Sequence, residues 1–290
     1  MTELAFTKMH GLGNDFVVID ARTGKPGAGV AISAAQASAI ADRRTGVGCD
    51  QFIIIEDAPG GEANEGVDAF MRIRNADGGE VDACGNATRC IGAVLLDESG
   101  KDTVLIRTGA DLLTVTRAGY GLVTVDMGVA RVGWDEIPLS AEADTLHLDL
   151  SRGPLSDPAA ASMGNPHATF FVDDAEAVAI AEYGPGLEHD PIFPERANIG
   201  VAQILAPDRM RLRVWERGVG LTSACGTGAC AAVVNAHRRG LAGRRMVVVV
   251  DGGELLIDWR EDRPGGAGRV FMTGPAETSF SGALTLGVLS

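Results

Sequence analysis

Asp82-Ala83-Cys84-Gly85-Asn86-Ala87-Thr88-Arg89-Cys90 occurs again further along the chain as Ala224-Cys225-Gly226-Thr227-Gly228-Ala229-Cys230. In both, a small residue precedes Cys-Gly, a polar residue follows, and a second Cys comes six or five positions on. The Ala/Val/Leu-rich runs 87–97 and 229–239 read as helices. The second closes with Arg238-Arg239 in its last turn and Gly240 just beyond it, the usual chemistry of a helix end. Cys84 and Cys225 therefore stand where helices begin. There, unpaired backbone N–H groups and the helix dipole favour an anion, and can draw a thiol pKa from roughly 8.5 toward neutrality. Two thiols in matched settings predict a base/acid pair, facing one another across the cleft between two related domains.

Working outward from the two helices, each half of the chain has the order strands–Cys–helix–strands. Residues 3–9 and 16–20 read as strands joined by a hairpin-like Gly11–Asp15, and 33–43 as a helix capped by Ser33. The β-branched run 52–56 reads as a buried strand, 60–66 as a loop and 69–75 as a strand leading into the first Cys helix. Strands follow at 102–107, 111–117 and 121–127. In the second half, 168–172, 201–206 and 209–216 read as strands and 175–182 as a short helix. Beyond the second Cys helix, 246–250, 254–259 and 269–273 read as strands, with 260–268 a polar turn. The predicted class is α+β: two pseudo-symmetric α/β domains, residues 1–125 with Cys84 and 126–275 with Cys225. Residues 276–290 are expected to pack back on the first.

The chain has 290 residues, 46% of them hydrophobic, enough to bury a real core. A net charge of −14 argues against nucleic acid or an anionic membrane as partner. No signal peptide or bilayer-length apolar stretch is visible. Five cysteines without an export signal favour free thiols in a reducing cytoplasm. Cys90 and Cys230 fall at core-like positions inside the helices, and Cys49 reads as structural. The Cys spacings lie outside or at the edge of zinc patterns, so no metal is expected.

Inverting a stereocentre next to a carboxylate is a task that suits a thiol pair of this kind. One group removes the α-proton from one face and the other delivers a proton to the opposite face. Most enzymes acidify such a C–H with a cofactor such as pyridoxal phosphate on a lysine. Lys8, Lys25 and Lys101 are the chain's lysines, and none has a convincing cofactor setting. Two helix N-termini aimed at one carboxylate offer electrostatic preorganisation in its place.

These residues resemble the diaminopimelate epimerases, over almost the whole chain. The matching stretches are 9–16 (Met-His-Gly-Leu-Gly-Asn-Asp-Phe), 46–51 (Gly-Val-Gly-Cys-Asp-Gln) and 75–78 running on into Cys84-Gly85-Asn86. They continue with 163–167 (Met-Gly-Asn-Pro-His), 194–198 (Pro-Glu-Arg-Ala-Asn) and 215–218 (Trp-Glu-Arg-Gly) leading to Ala224–Gly228. The resemblance implies domains built as mixed sheets around a central helix, with the active site in the interdomain cleft. It also implies cofactor-independent interconversion of LL- and meso-diaminopimelate, in lysine and cell-wall precursor biosynthesis. Cys84 would be proton donor and Cys225 acceptor in the LL-to-meso direction. The backbone of Gly85-Asn86 and Gly226-Thr227 would hold the reacting carboxylate. Asn14, Gln51, Asn75, Asn165, Asn198, Glu216 and Arg217 would bind the rest of the substrate, Arg217 as bidentate partner of the distal carboxylate. His167 and Glu216 would tune the thiols. The small-molecule substrate is the expected partner, and a homodimer is compatible with the sequence. The chain departs from the family pattern at Ala87-Thr88, where Gly-Ala is expected, and at Leu221, where Glu is.

Other readings stand beside this one. Asn14 and Asn165 sit in turn sequences where Asn is common for backbone reasons, and Glu216-Arg217 has the look of a solvated pair. A proline or hydroxyproline epimerase has a similar two-thiol plan, but commonly carries His where this chain has Asn86. Gly226-Thr227-Gly228-Ala229-Cys230-Ala231 fits the dinucleotide pattern G-x-G-x-x-A, although no strand runs directly into it. A thiol switch closing Cys84 on Cys225 is a third reading.

Overall fold

A computed structural model describes residues 3–60, 65–261 and 268–285. The loop read at 60–66, the turn read at 260–268 and the end of the returning segment, 286–290, lie partly or wholly outside these. The chain forms two compact units, Met1–Val125 with Gly274–Ser290, and Asp126–Thr273.

In the first unit β1 (Glu3–Gly11) and β2 (Asn14–Asp20) form a hairpin. After α1 (Ala34–Ala41) come β3 (Gln51–Glu56), β4 (Ala69–Asn75) and the short β5 (Glu80–Val81). Then α2 (Gly85–Ser99) leads to β6 (Thr103–Arg107), β7 (Leu112–Gly119) and β8 (Leu122–Val129). The second unit has a small separate pair, β9 (Ser151–Arg152) and β10 (Leu155–Ser156). It continues with β11 (Ala159–Ser162), β12 (Pro166–Phe171), α3 (Ile180–Glu188), β13 (Asn198–Ala206), β14 (Arg209–Glu216) and β15 (Gly220–Thr222). Then come α4 (Gly226–Arg238), β16 (Arg245–Val250), β17 (Gly253–Arg260) and β18 (Arg269–Pro275). Last is β19 (Glu277–Thr285), which returns to the first unit and pairs antiparallel with β1.

The pairing sense repeats from one unit to the other. Along β1-β2-β3-β4-β6-β7-β8 the neighbours are antiparallel, parallel, antiparallel, parallel, antiparallel and antiparallel. Along β11-β12-β13-β14-β16-β17-β18 the same sequence recurs. β5 hairpins on β4 as β15 does on β14. This is a mixed-sheet α+β fold made twice.

The two Cys helices are enclosed by these sheets. α2 packs on β1, β6 and β7, and α4 on β11 to β14, β16 and β17. From Gly226 to Ala236 every residue of α4 except Thr227 is buried, as expected of a helix that is small and apolar all round. Gly92 of α2 lies so close to β7 that a Cβ there would sit 2.4 Å from Val115 Cγ1. The other helix of each unit covers the opposite sheet face. Phe16–Ile19 and Phe52–Ile55 are buried throughout, so these strands read as continuous apolar runs, not as alternation. Leu4, Val17, Ile19, Ile40, Phe52 and Ile54 form the core under α1, and Phe170, Ile180, Leu187, Ile199 and Val201 its counterpart under α3.

Ser33 caps α1 as expected, in a capping box with Gln36. The helix expected at 175–182 is corrected: α3 starts at Ile180 and runs to Glu188. Asp174 Oδ1 accepts the backbone N–H groups of Glu176 and Ala177, at 2.9 and 3.3 Å, holding that stretch as a turn.

Candidate active site

The candidate residues form two clusters, one in each unit, built on equivalent elements. Cys84 is the N-cap of α2 and Cys225 the N-cap of α4, both in extended backbone conformation. Each sulfur accepts the backbone N–H three residues on, Ala87 N at 3.5 Å and Gly228 N at 3.4 Å. In a normal N-cap an oxygen takes this position. Thr88, one of the departures from the family pattern, donates its hydroxyl to Cys84 O at 2.9 Å and so steadies the first turn.

Beside Cys84 the first unit places Asn14 and Asn86. Asn14 opens β2 after the Leu12-Gly13 turn, where both residues have positive φ. Its Oδ1 accepts from Asn86 Nδ2 at 3.1 Å and stands 3.9 Å from Cys84 Sγ. Its Nδ2 donates to Asp50 Oδ2 at 2.9 Å. Gln51 and Asn75 face each other across β3 and β4, with Gln51 Nε2 donating to Asn75 Oδ1 at 3.0 Å.

Around Cys225 the second unit gathers Asn165, His167, Asn198, Glu216, Arg217 and Thr227. Asn165 precedes β12 as Asn14 begins β2, and Asn198 stands in β13 where Gln51 stands in β3. Glu216 and Asn75 each end a strand nine residues before their cysteine. Asn198 Oδ1 accepts the Arg217 backbone N–H at 2.9 Å, and its Nδ2 donates to Pro166 O at 3.0 Å. Thr222 donates to Glu216 Oε1 at 2.6 Å. The Arg217 guanidinium donates through Nη1 to Glu195 O at 2.9 Å.

The electrostatics of the two clusters differ. Cys225 is 5% exposed, and burial pushes its thiol well above the ordinary value, with the Glu216 carboxylate adding to the effect. Thr227 and the Gly228 N–H pull the other way without prevailing. At this thiol, burial opposes the pull toward neutrality that a helix start can exert. Burial also pushes Cys49 up to about 11 and Cys90 up to about 12, in keeping with inert core thiols. All five cysteines are free.

His167 is fully enclosed. Burial, helped by the positive charge of Arg217, drives it down to about 3, so its ring is neutral. Its Nε2 lies 2.9 Å from Asn165 Oδ1, while Asn165 Nδ2 donates to Thr227 Oγ1 at 3.4 Å. The ring therefore carries its proton on Nε2. A Thr227 hydroxyl that accepts from Asn165 has its own hydrogen left for Cys225 Sγ, 3.7 Å away. A measurable consequence follows for stability. The unfolded chain protonates His167 near 6.5, the native chain only near 3, so its contribution is intact above 6.5 and is lost as pH falls toward 3. The loss should reach on the order of a few kcal/mol. In denaturant titrations across that window, His167→Gln should flatten this component of the slope. An unchanged slope would show that His167 titrates normally.

Sequence reading missed the groups that hold these side chains. Lys8 Nζ pairs with Asp15 Oδ2 at 2.6 Å, and Arg43 Nη2 lies 2.7 Å from both Asp15 Oδ1 and Asp50 Oδ1. Burial pushes the Asp15 carboxyl up, but hydrogen bonds from Arg43 and Lys8 hold it down at about 2. In the second unit the 3%-exposed Glu188 accepts Trp215 Nε1 at 2.7 Å and Gly218 N at 2.9 Å, fixing the strand end that bears Glu216 and Arg217. Asp50 sits beside Gln51 in sequence, a signal that was available. Glu188 gave none.

The fold has solved counterparts. A phenazine biosynthesis protein of the PhzF family from Bacillus anthracis superposes with a TM-score of 0.68 at 17% identity, covering 98% of this chain and 100% of its own. A hydroxyproline epimerase from Agrobacterium vitis gives 0.66 at 15% identity, over 98% and 92%. These share the fold of this chain. Sequence is more specific. The diaminopimelate epimerase family matches residues 6–133 and 159–279. A diaminopimelate epimerase from Acidiphilium cryptum is 56% identical over 285 residues, 98% of each chain. This chain belongs to the diaminopimelate epimerase family.

Proposed function

We propose that the protein interconverts LL- and meso-diaminopimelate without a cofactor, one thiol from each unit acting on opposite faces of one α-carbon. The observation that supports this most is the repeated placement of a thiol at the N-cap of equivalent helices, in a chain of this family. The backbone N–H groups of Gly85-Asn86 and Gly226-Thr227, at the starts of the two helices, hold the reacting carboxylate and stabilise the charge that builds on it as the proton leaves. Asn14, Gln51, Asn75, Asn165 and Asn198 fix the remaining polar groups, and Arg217 takes the distal carboxylate. Glu216, beside Cys225, tunes that buried thiol, and His167 acts from behind Asn165. The reaction runs in the cytoplasm, where free thiols persist; among the described residues no helix is long and apolar enough to cross a membrane.

The test is turnover in heavy water. LL-diaminopimelate should yield the meso epimer with deuterium at the inverted carbon, with NAD and pyridoxal phosphate absent, while proline should take up none. Exchange into proline but not diaminopimelate would replace this reading with the proline-epimerase one.

A further inference from the structure

The side-chain amides of Asn14 and Asn165 occupy equivalent places but are turned opposite ways. Asn165 directs its NH2 toward the thiol side, through Thr227. Asn14 directs its carbonyl oxygen at Cys84 and Asn86. The difference has a chemical cause. An ionised carboxylate can only accept, so Asp50 Oδ2, which touches Asn14 at 2.9 Å, requires the NH2 on its own side. The same oxygen accepts the Asp15 backbone N–H at 3.1 Å, and Asp50 Oδ1 accepts from Arg43 Nη2 at 2.7 Å. Asp50 N donates to Asp15 Oδ1 at 2.9 Å, closing a ring that Lys8 anchors through Asp15. No sequence motif or family resemblance used above gives Asp50 a role.

We propose that Asp50 is a positioning residue for Cys84: it locks the Asn14 amide with its oxygen toward the sulfur, and so holds this thiol in the proton-bearing form. This rests on the reading of Cys84 as an acid/base thiol. The Ala87 N–H and the helix N-terminus favour the thiolate. An acceptor oxygen at the sulfur opposes them, because it hydrogen-bonds S–H and repels S⁻. The balance keeps Cys84 loaded as a donor while allowing the reverse step. Lys8, Asp15 and Arg43 are the charged groups around Asp50, and all are engaged within the ring.

Asp50 is largely exposed, with 44% of its side chain accessible, so it can be changed without opening the core. In Asp50→Asn, an amide cannot satisfy both Arg43 and Asn14 as an acceptor. If its oxygen keeps Arg43, its NH2 faces both the Asp15 N–H and the NH2 of Asn14, and the Asn14 amide is then free to turn its own NH2 toward the sulfur. The readout is the pH dependence of iodoacetamide labelling at Cys84, followed by peptide mass spectrometry in the full-length Cys225→Ala protein. Asp50→Asn in that background should move the labelling midpoint down by about one pH unit, roughly tenfold more labelling below the midpoint. Asp50→Glu, which keeps a carboxylate, should restore most of the parent profile. A midpoint unchanged in Asp50→Asn, with the fold intact by circular dichroism, overturns the proposal. So does equal displacement in Asp50→Glu and Asp50→Asn, since a merely structural site would not separate them. Labelling reads the thiol directly and needs no turnover, so it stands apart from the heavy-water test: a chain that fails to epimerise diaminopimelate can still show or lack the shift.

Discussion

Cys84→Ala and Cys225→Ala should each lose epimerisation by at least about 10²–10⁴-fold, the range expected for removing a positioned acid or base. The loss should not be symmetric in isotope exchange. With Cys84 gone, Cys225 can still lift the α-proton of the LL epimer and return solvent deuterium to the same face. LL substrate should therefore exchange slowly without inverting, and meso substrate should not exchange. Cys225→Ala should show the converse. Both variants should bind substrate and unfold at temperatures close to the parent, because each removes one small side chain at a helix cap. The measurement is NMR of the α-hydrogen in heavy water, starting from each epimer separately. Inversion at the parental rate in either variant, or exchange of both epimers by both, would sink the two-base assignment.

The second large effect lies in the backbone turn that follows Asn75. Gly78 has φ +86, and a Cβ built there would lie 2.1 Å from Ala34 O. Gly78→Ala thus combines a left-handed conformation with a collision against backbone. Together these should cost about 2–5 kcal/mol. For a unit of this size that is a fall of roughly 5–15 °C in Tm. The turn also holds Asn75, one of the proposed substrate-binding residues. Gly78 N donates to Asn75 O, and Asn75 N to Gly79 O, both at 2.9 Å, so moving it displaces Asn75 from Gln51. KM should rise along with the loss of stability. Gly243→Ala is the control, since nothing lies within 4 Å of its Cβ position. Calorimetry showing equal Tm for the two variants would remove this account.

The parts of the molecule that could be read from sequence are those where local chemistry and tertiary role agree. The Cys helices were visible because the motif is duplicated and because helix-end signals agree with the buried Ala/Val faces. β2 and β3 were visible because strands covered on both sides read as unbroken apolar runs. α3 was not, for a physical reason. Its second half holds Gly184-Pro185-Gly186, a turn signal by propensity. Yet a Cβ at Gly184 would lie 2.6 Å from the Trp215 ring, so packing on β14 demands glycine inside a helix. Tertiary contact overrode local preference. β19 was missed because it is exposed over most of its length and mixes Ser, Thr, Gly and Ala without alternation. Within the candidate site, the two thiols at helix starts could be placed from the duplicated motif, while the amides came only with the family resemblance. The ring of Lys8, Asp15, Arg43 and Asp50 could not, because its members come from distant segments that only the sheet brings together. The ionisation of Cys225 also depended on burial that no motif records.

The pairing of β19 with β1 has a consequence for how the protein is made. A ribosome releases the strands of the first unit early but withholds this one until the whole second unit has been synthesised. The second unit can then settle while the first still exposes the edge of β1, a site for chaperones and for pairing with neighbouring nascent chains. The half of the enzyme translated first is thus the half that matures last.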